Sequence, residues 1–431
     1  MQDQRLRSLP DDIATRTLPV NDLNMHIHEA GDRSNPLILF LHGFPELAYS
    51  WRKVILPVAH MGYHVVAPDQ RGFGRTTMTQ CSGDQIRYED DWRSFHVQSL
   101  VRDILALAFA LGHRTVAAVV GHDLGSIVAA QCALIRPDVF HSVVMMSAPF
   151  PGPPSLPFDI DATSPPPPPI TIFSPLIQNQ LAGLNKPLKY YMTYFAGPDA
   201  NHDLLNAPEG LHQFLRAYFH TKSADWSGNN PHPLLSVEVS EMAKLPCYYM
   251  MPLHSTMPQA VAPYTPSSQE VAYNRWLPDS ELAVYTAEYQ RTGFQGGLNW
   301  YRSWHPEVQR ELALFAERRI DVPAMFLSGE KDWGVFQHPG AMEKMKQRAC
   351  SRMDDEDVVV IEGAGHWVQQ EQPEMVVHHI RRFLHKVRVI SSFYRVTDRP
   401  DSGISTRLHR IRERLSVLTR ANLTVFNAFL S

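Results

Sequence analysis

Thr115-Val116-Ala117-Ala118-Val119-Val120-Gly121-His122-Asp123-Leu124-Gly125-Ser126 is the stretch whose reading decides the fold. Its apolar half, through Val120, is short and rich in β-branched residues, the pattern of a buried parallel strand. From Ser126 to Leu134, alanine, glutamine and leucine favour a helix. The turn between them, Gly121 to Gly125, is the setting of a nucleophile elbow, where a strained residue is displayed at the apex of a strand-to-helix bend. Gly121 and Gly125 let the two backbones approach closely. The residue at the apex is Asp123, where the commoner pattern has serine.

A carboxylate is ionised at neutral pH and attacks without a base. On an amide or ester it would give an anhydride. On saturated carbon it gives an alkyl ester, which water hydrolyses at the aspartyl carbonyl. The leaving atom is then a halide or the oxygen of a strained ring. The competing reading is structural, because an Asp that opens a helix is a common N-cap. The rest of the chain has to choose between them.

At 431 residues the chain has room for one core and a sizeable insertion. A net charge of -4 gives no cue for nucleic acid or an anionic membrane. Cys81, Cys132, Cys247 and Cys350 are far apart and include no CxxC, so neither a zinc site nor a disulfide framework is expected. The N-terminal residues have no apolar h-region, and no later run reaches membrane-spanning length. These features predict a cytoplasmic protein without metal, cofactor or membrane anchor; they leave its oligomeric state open.

Around the elbow, β-rich and helical segments alternate. Thr15 to Val20 and Leu23 to His28 read as an antiparallel pair, with His26 and His28 on one solvated face. Strands follow at Leu37–Leu41 and His64–Asp69, with a helix expected over Glu46 to Ala59 between them. Phe95 to Leu111 is helical by spacing, and Ser142 to Ser147 is a further buried strand. This order predicts an α/β fold built on a doubly wound, mostly parallel sheet. The alternation stops at Pro149. From there to about Trp304 the chain is rich in proline, tyrosine and tryptophan, and helical segments such as Gly210 to Lys222 and Asp279 to Thr292 have no strands between them. Strands resume at Ala324–Gly329 and Val358–Ile361, before a helix near Glu374 to Lys386. Residues 1–149 and 305–390 are thus expected to form the core. Residues 150–304 would be a helical lid over the carboxyl ends of the strands, where open α/β sheets bind ligands. Residues 391–431 form a basic tail that the core does not need.

Two further residues fall just past strand ends: Asp332 in Gly329-Glu330-Lys331-Asp332-Trp333, and His366 in Gly363-Ala364-Gly365-His366-Trp367. Nucleophile, acid and histidine occur in the order typical of α/β-hydrolases. In this reading His366 takes a proton from the water that cleaves the aspartyl ester, and Asp332 orients its ring. Ser126 lies in the elbow helix, away from the apex, which argues against a serine esterase.

With these motifs the chain resembles the α/β-hydrolase superfamily and, within it, the soluble-type epoxide hydrolases; the likeness runs from residue 37 to about 387. His42-Gly43-Phe44-Pro45 is similar to that family's HGxP signature. The resemblance implies an oxyanion hole made by the backbone N–H groups of Phe44 and Leu124, substrate contacts from His42, Pro45, Trp300 and Trp367, and a cis Pro45. The loop Asp69-Gln70-Arg71-Gly72-Phe73-Gly74 resembles the family's D-x-R-G-x-G segment and is assigned a structural role.

The leaving group separates family members. An alkoxide needs an acid, which the family supplies as two lid tyrosines; tyrosine stays protonated at neutral pH. Gly293-Phe294-Gln295-Gly296-Gly297-Leu298-Asn299-Trp300-Tyr301 looks like the segment that carries one of them, Tyr301. The other falls within Tyr190-Tyr191-Met192-Thr193-Tyr194, where the spacing before Phe-x-Gly-Pro favours Tyr191 and leaves Tyr190 and Tyr194 as alternatives. Haloalkane dehalogenases hold the halide with a tryptophan directly after the nucleophile; Leu124 has no such donor. The resemblance therefore implies a cofactor-independent epoxide hydrolase acting on a small apolar epoxide and water. A haloalkane or haloacid dehalogenase is the runner-up, and a non-catalytic ligand-binding homologue the third reading.

Overall fold

The computed structural model describes residues 9–79, 85–153, 175–303 and 311–397. The strands of the main sheet are β1 (Ala14–Val20), β2 (Leu23–Ala30), β3 (Leu37–Leu41), β4 (His64–Pro68), β5 (Thr77–Met78), β6 (Val116–His122) and β7 (Val143–Met146), joined later in the chain by β10 (Ala324–Gly329) and β11 (Val358–Ile361). They run in the order β1-β2-β4-β3-β6-β7-β10-β11, with β5 on β2. From β4 to β11 every pairing is parallel; β1, β2 and β5 form an antiparallel margin. The order reverses beside β3, giving the doubly wound arrangement expected from the alternation of strands and helices.

The parallel strands are buried along almost their whole length, which is why they read as unbroken apolar runs. Register aligns Leu41 with Gly121, His122 with Met146, and Gly329 with Ile361, so these strands end at one edge. At β6 the chain turns directly into the elbow helix, Leu124–Ile135. The approach is close: a Cβ at Gly121 would stand 2.0 Å from the carbonyl oxygen of Gly125, and one at Gly125 would stand 2.4 Å from that of Leu41.

Between β7 and β10 the described residues form a mainly helical region that includes Leu211–Lys222, Asp279–Thr292 and Gln295–Arg302. It also contains a two-stranded antiparallel ribbon, β8 (Leu188–Tyr190) with β9 (Met250–Pro252), where no strands were expected. These strands are only three residues long, too short for a legible alternation of side chains. Several contacts tie the region to the core. Arg52 pairs with Glu281, Arg75 lies 3.0 Å from Glu288, and the Trp300 indole donates to the Arg71 carbonyl at 3.0 Å. All the strands belong to the compact unit that ends at Arg381. Beyond it, the described residues are the second part of the helix Pro373–Thr397, which therefore continues past residue 391; residues 398–431 lie outside the described residues.

Two local expectations are corrected. The segment after Glu46 is a 3-10 turn, Ala48–Trp51, and a short helix, Ile55–Ala59, in place of one long helix. The reason is competition for backbone groups: the N–H of Ala48 donates to the Asp69 carboxylate at 2.9 Å. His26 and His28 are buried, each 1% exposed. His26 Nδ1 contacts Asp69 at 2.9 Å, and burial pushes the His28 pKa down to about 3. Alternation showed their shared face but not that the Asp69–Arg75 loop would cover it. That loop is structural as expected: Asp69 also accepts from Arg75 N, and Arg71 pairs with Asp22 and Asp103. Among the described residues no helix is long and apolar enough to cross a membrane.

Closeness at the elbow is a testable constraint. Gly121→Ala forces backbone atoms apart, and we expect a loss of about 2 kcal/mol, read as a lower urea midpoint; an unchanged midpoint would show that the turn is not tightly closed.

Candidate active site

Asp123 follows β6 directly and has φ +54° and ψ -122°, a left-handed conformation strained for a residue with a side chain. Its side chain makes no helix cap, so the structural reading of this residue is not the one realised. Asp123 Oδ1 accepts the backbone N–H of Phe44 at 3.0 Å, across the cis Phe44–Pro45 turn that follows β3. Leu124 stands at the first position of the elbow helix, where an N–H has no intrahelical acceptor.

His366 Nε2 lies 3.4 Å from Asp123 Oδ2, at ion-pair distance. Its Nδ1 is 3.0 Å from Asp332 Oδ1, which also accepts from Gly334 N at 2.7 Å. As imidazolium, His366 donates from both ring nitrogens to the two carboxylates; once neutral, with the Nδ1 proton kept toward Asp332, Nε2 can accept a proton. The three residues expected from the sequence therefore converge at the sheet's carboxyl edge. Burial would raise the Asp123 pKa, but hydrogen bonding and charge from His366, helped by Lys222 and His122, outweigh it and hold the carboxyl far below its ordinary range. Asp332 is lowered in the same way. For His366, burial and the Lys222 ammonium push down while Asp332 and Asp123 push up; the carboxylates win and the pKa lies above its ordinary value.

Two tyrosines of the helical region stand close enough to this centre for the Asp123 charge to act on their hydroxyls. Tyr191 opens the helix Tyr191–Phe195, and Tyr301 lies on Gln295–Arg302. Their rings meet edge to face, with centroids 5.9 Å apart. Tyr301 packs on Phe44 at 5.4 Å. The helix that carries it can come this low because Gly296 rests on Gly72, where a Cβ would stand 2.0 Å from a carbonyl oxygen. Burial, the neighbouring tyrosine and Asp123 raise both hydroxyl pKa values well above 10, so both stay protonated. Tyr194 Oη donates to Asp203 at 2.9 Å, while Gln337 accepts from Tyr190 Oη at 3.3 Å and also interacts with the Tyr191 hydroxyl, whose ring in addition feels the Asp123 charge.

Two of the residues expected to touch substrate stand behind the site. His42 is 0% exposed, with Nδ1 2.9 Å from Gly43 O and Nε2 accepting from Gln70 N at 3.1 Å. Trp367, also 0% exposed, donates to Phe219 O and packs against His366. The family resemblance implied substrate contacts for both, and both are turned inward by their own hydrogen bonds. Pro45 is buried in the cis turn. Trp300 and Leu124 line an apolar cavity of about 310 Å³ together with Val128 and Phe150.

Four groups escaped the sequence reading. Glu46, fully buried, contacts His122 Nδ1 at 2.5 Å and accepts from Gln369 and Gln370, while His122 Nε2 donates to the His366 carbonyl at 2.7 Å. Glu371 accepts from Gly365 N and Trp367 N, either side of His366, and from Ala224 N of the lid, all at 2.8–2.9 Å. Lys222 and Tyr249 stand among the lid aromatics, each almost wholly buried. Glu46 could have been singled out, since it directly follows His42-Gly43-Phe44-Pro45. Lys222 could not, because a lysine closing a helix ordinarily reads as a cation on the helix dipole.

A model of the alpha/beta hydrolase fold matches residues 36–191, a span that includes Phe44, Asp123 and Tyr191. Over its length the chain is 29% identical to epoxide hydrolase 3 of Siraitia grosvenorii, covering 87% of this chain and 99% of that one. It is also 29% identical to epoxide hydrolase A of Mycobacterium tuberculosis, covering 86% and 96%. Among solved structures, epoxide hydrolase I of potato (Solanum tuberosum) superposes with a TM-score of 0.63 at 29% identity, over 87% of this chain and 99% of that one. Epoxide hydrolase A of Mycobacterium thermoresistibile gives 0.64 at 29%, over 86% and 98%. The chain has the α/β-hydrolase fold and is similar over most of its length to epoxide hydrolases.

Proposed function

We propose that the protein opens an apolar epoxide to a vicinal diol through a covalent ester on Asp123. The observation that carries this reading is the convergence on Asp123 of the Phe44 N–H at 3.0 Å and His366 Nε2 at 3.4 Å, with the buried rings of Tyr191 and Tyr301 packed on each other and Tyr301 on Phe44. Asp123 attacks an epoxide carbon, and the C–O bond of the ring breaks. Tyr191 and Tyr301 donate to the departing oxygen, an acid role that a strongly basic alkoxide requires. His366 then takes a proton from water while that water attacks the ester carbon, with Asp332 steadying the imidazolium. The N–H groups of Phe44 and Leu124 receive the oxyanion. Collapse releases the diol and restores the carboxylate.

The dehalogenase alternative lacks support at the residue after the nucleophile. Leu124 offers no side-chain donor, and the indole N–H groups of Trp300 and Trp367 are committed to backbone carbonyls. Residues 150–304 would serve as the lid that brings the tyrosines over the nucleophile.

A single turnover with an epoxide in ¹⁸O-labelled water should place one label in Asp123 and none in the first diol, and Asp123→Ala should yield no diol. Label in that first diol would mean direct attack by water. His366→Gln should alkylate and then stall, leaving an adduct visible by mass; in the wild type, alkylation should stay flat on acidification, because the Asp123 pKa is far below its ordinary value. Hydrolysis should fall as pH drops through the pKa that His366 has in the alkyl-enzyme, which lies below that of the free enzyme because the ester removes the Asp123 charge, since imidazolium cannot accept a proton. Removing both hydroxyls in Tyr191→Phe/Tyr301→Phe should slow alkylation on the order of 10²–10⁴-fold, whereas unchanged burst kinetics would discard the tyrosines as acids.

A further inference from the structure

Lys222 closes the lid helix Leu211–Lys222 and is only 3% exposed. Among the described residues its ammonium makes no hydrogen bond, and no carboxylate lies within ion-pair distance. It sits instead among four aromatic rings: Nζ is 5.1 Å from the centroid of Tyr249, 5.2 Å from Trp367, 5.4 Å from Tyr218 and 5.9 Å from Tyr248. Ring faces stabilise a cation that burial would otherwise discharge. The same residue is fastened to the catalytic loop, because the His366 N–H donates to the Lys222 carbonyl at 2.8 Å. Trp367, which bears on Nζ, lies against the His366 ring at 4.7 Å.

We propose, building on the mechanism above, that Lys222 is a positioning residue whose ammonium keeps His366 a neutral base in the alkyl-enzyme. The charges around His366 come from several elements. Asp123 is on the elbow, Asp332 follows β10, and His122 at the end of β6 lies 5.0 Å away ring to ring with Glu46 behind it. Glu371 holds the N–H groups on either side, and the Lys222 ammonium, packed on the Trp367 ring that lies against His366, acts on it from the helix Leu211–Lys222. In the free enzyme the two carboxylates favour imidazolium, which cannot act as a base. Esterification removes the Asp123 charge, leaving Asp332 opposed by Lys222. The imidazole then gives up its proton more readily, at the step that needs a base. Water passes a proton to Nε2, its oxygen bonds to the ester carbon, the alkyl C–O–carbonyl link breaks, and the proton leaves with the diol alkoxide. Tyr218, Tyr248 and Tyr249, all held protonated by burial, add no competing charge.

The test follows His366 by NMR titration in Asp123→Asn, whose neutral amide stands where the ester would be. We expect His366 to titrate lower there than in the wild type. Adding Lys222→Met should raise the midpoint by about one pH unit or more, while Lys222→Arg should leave it in place; Lys222→Gln serves if the methionine variant does not fold. In single turnovers with Asp123 intact, the acid limb of ester hydrolysis should move up by the same amount. An unmoved midpoint in the neutral variants, or an equal rise in Lys222→Arg, overturns the proposal. Because the titration needs no substrate, its outcome is separate from whether an alkyl-enzyme forms at all.

Discussion

An ionised carboxylate on a left-handed backbone is the constraint on which the structure turns. At φ +54°, Asp123 is held in place by the parallel strands on either side of β6 and by the elbow helix packed behind it. Its charge is then stabilised by donors fixed in advance: the Phe44 N–H from the neighbouring β3 turn and the His366 imidazole from the loop after β11. A nucleophile so placed needs no activation. The chemistry left to arrange is protonation of what departs and activation of the water that follows.

Those tasks are divided between the two faces of the site. In the proposed mechanism the core supplies the base, and the helical region supplies hydroxyls whose acidity burial suppresses. The faces are not independent. Glu371 takes N–H groups from both the histidine loop and Ala224 of the lid, and the Lys222 carbonyl takes the His366 N–H. A shift of this part of the helical region would therefore disturb the proposed base as well as the proposed roof of the site. Beneath them Glu46, His122, Gln369 and Gln370 form a hydrogen-bonded layer that holds the His366 carbonyl from the core side. A buried polar network of this kind is costly if any member is left unsatisfied, and so it favours one geometry.

Much of this was legible in order along the chain. Buried parallel strands read as apolar runs, and each residue of the Asp123, Asp332 and His366 set falls immediately after such a run. Strand ends in a parallel sheet share an edge, so sequence order already brought these residues together. The glycines of the elbow and Gly296 mark places where backbones touch, a local property that a one-dimensional reading captures. Amino-acid type also determined the chemistry at the apex, since aspartate can only attack as a carboxylate.

What tertiary structure alone decided is which polar side chains meet when they are far apart in sequence. Tyr190, Tyr191 and Tyr194 lie within five positions, and only packing turns the hydroxyls of Tyr190 and Tyr194 toward Gln337 and Asp203. His42 and Trp367 flank site residues in sequence yet point away from them, because their hydrogen bonds are made to backbone groups in the interior. His26 and His28 share a face as alternation implied, but a loop some forty residues later buries it. Lys222 carries no local sign of its position; its aromatic surroundings come from three separate segments. Periodicity and residue type report a side chain's own backbone, whereas burial and charge balance depend on neighbours that the fold brings in from elsewhere.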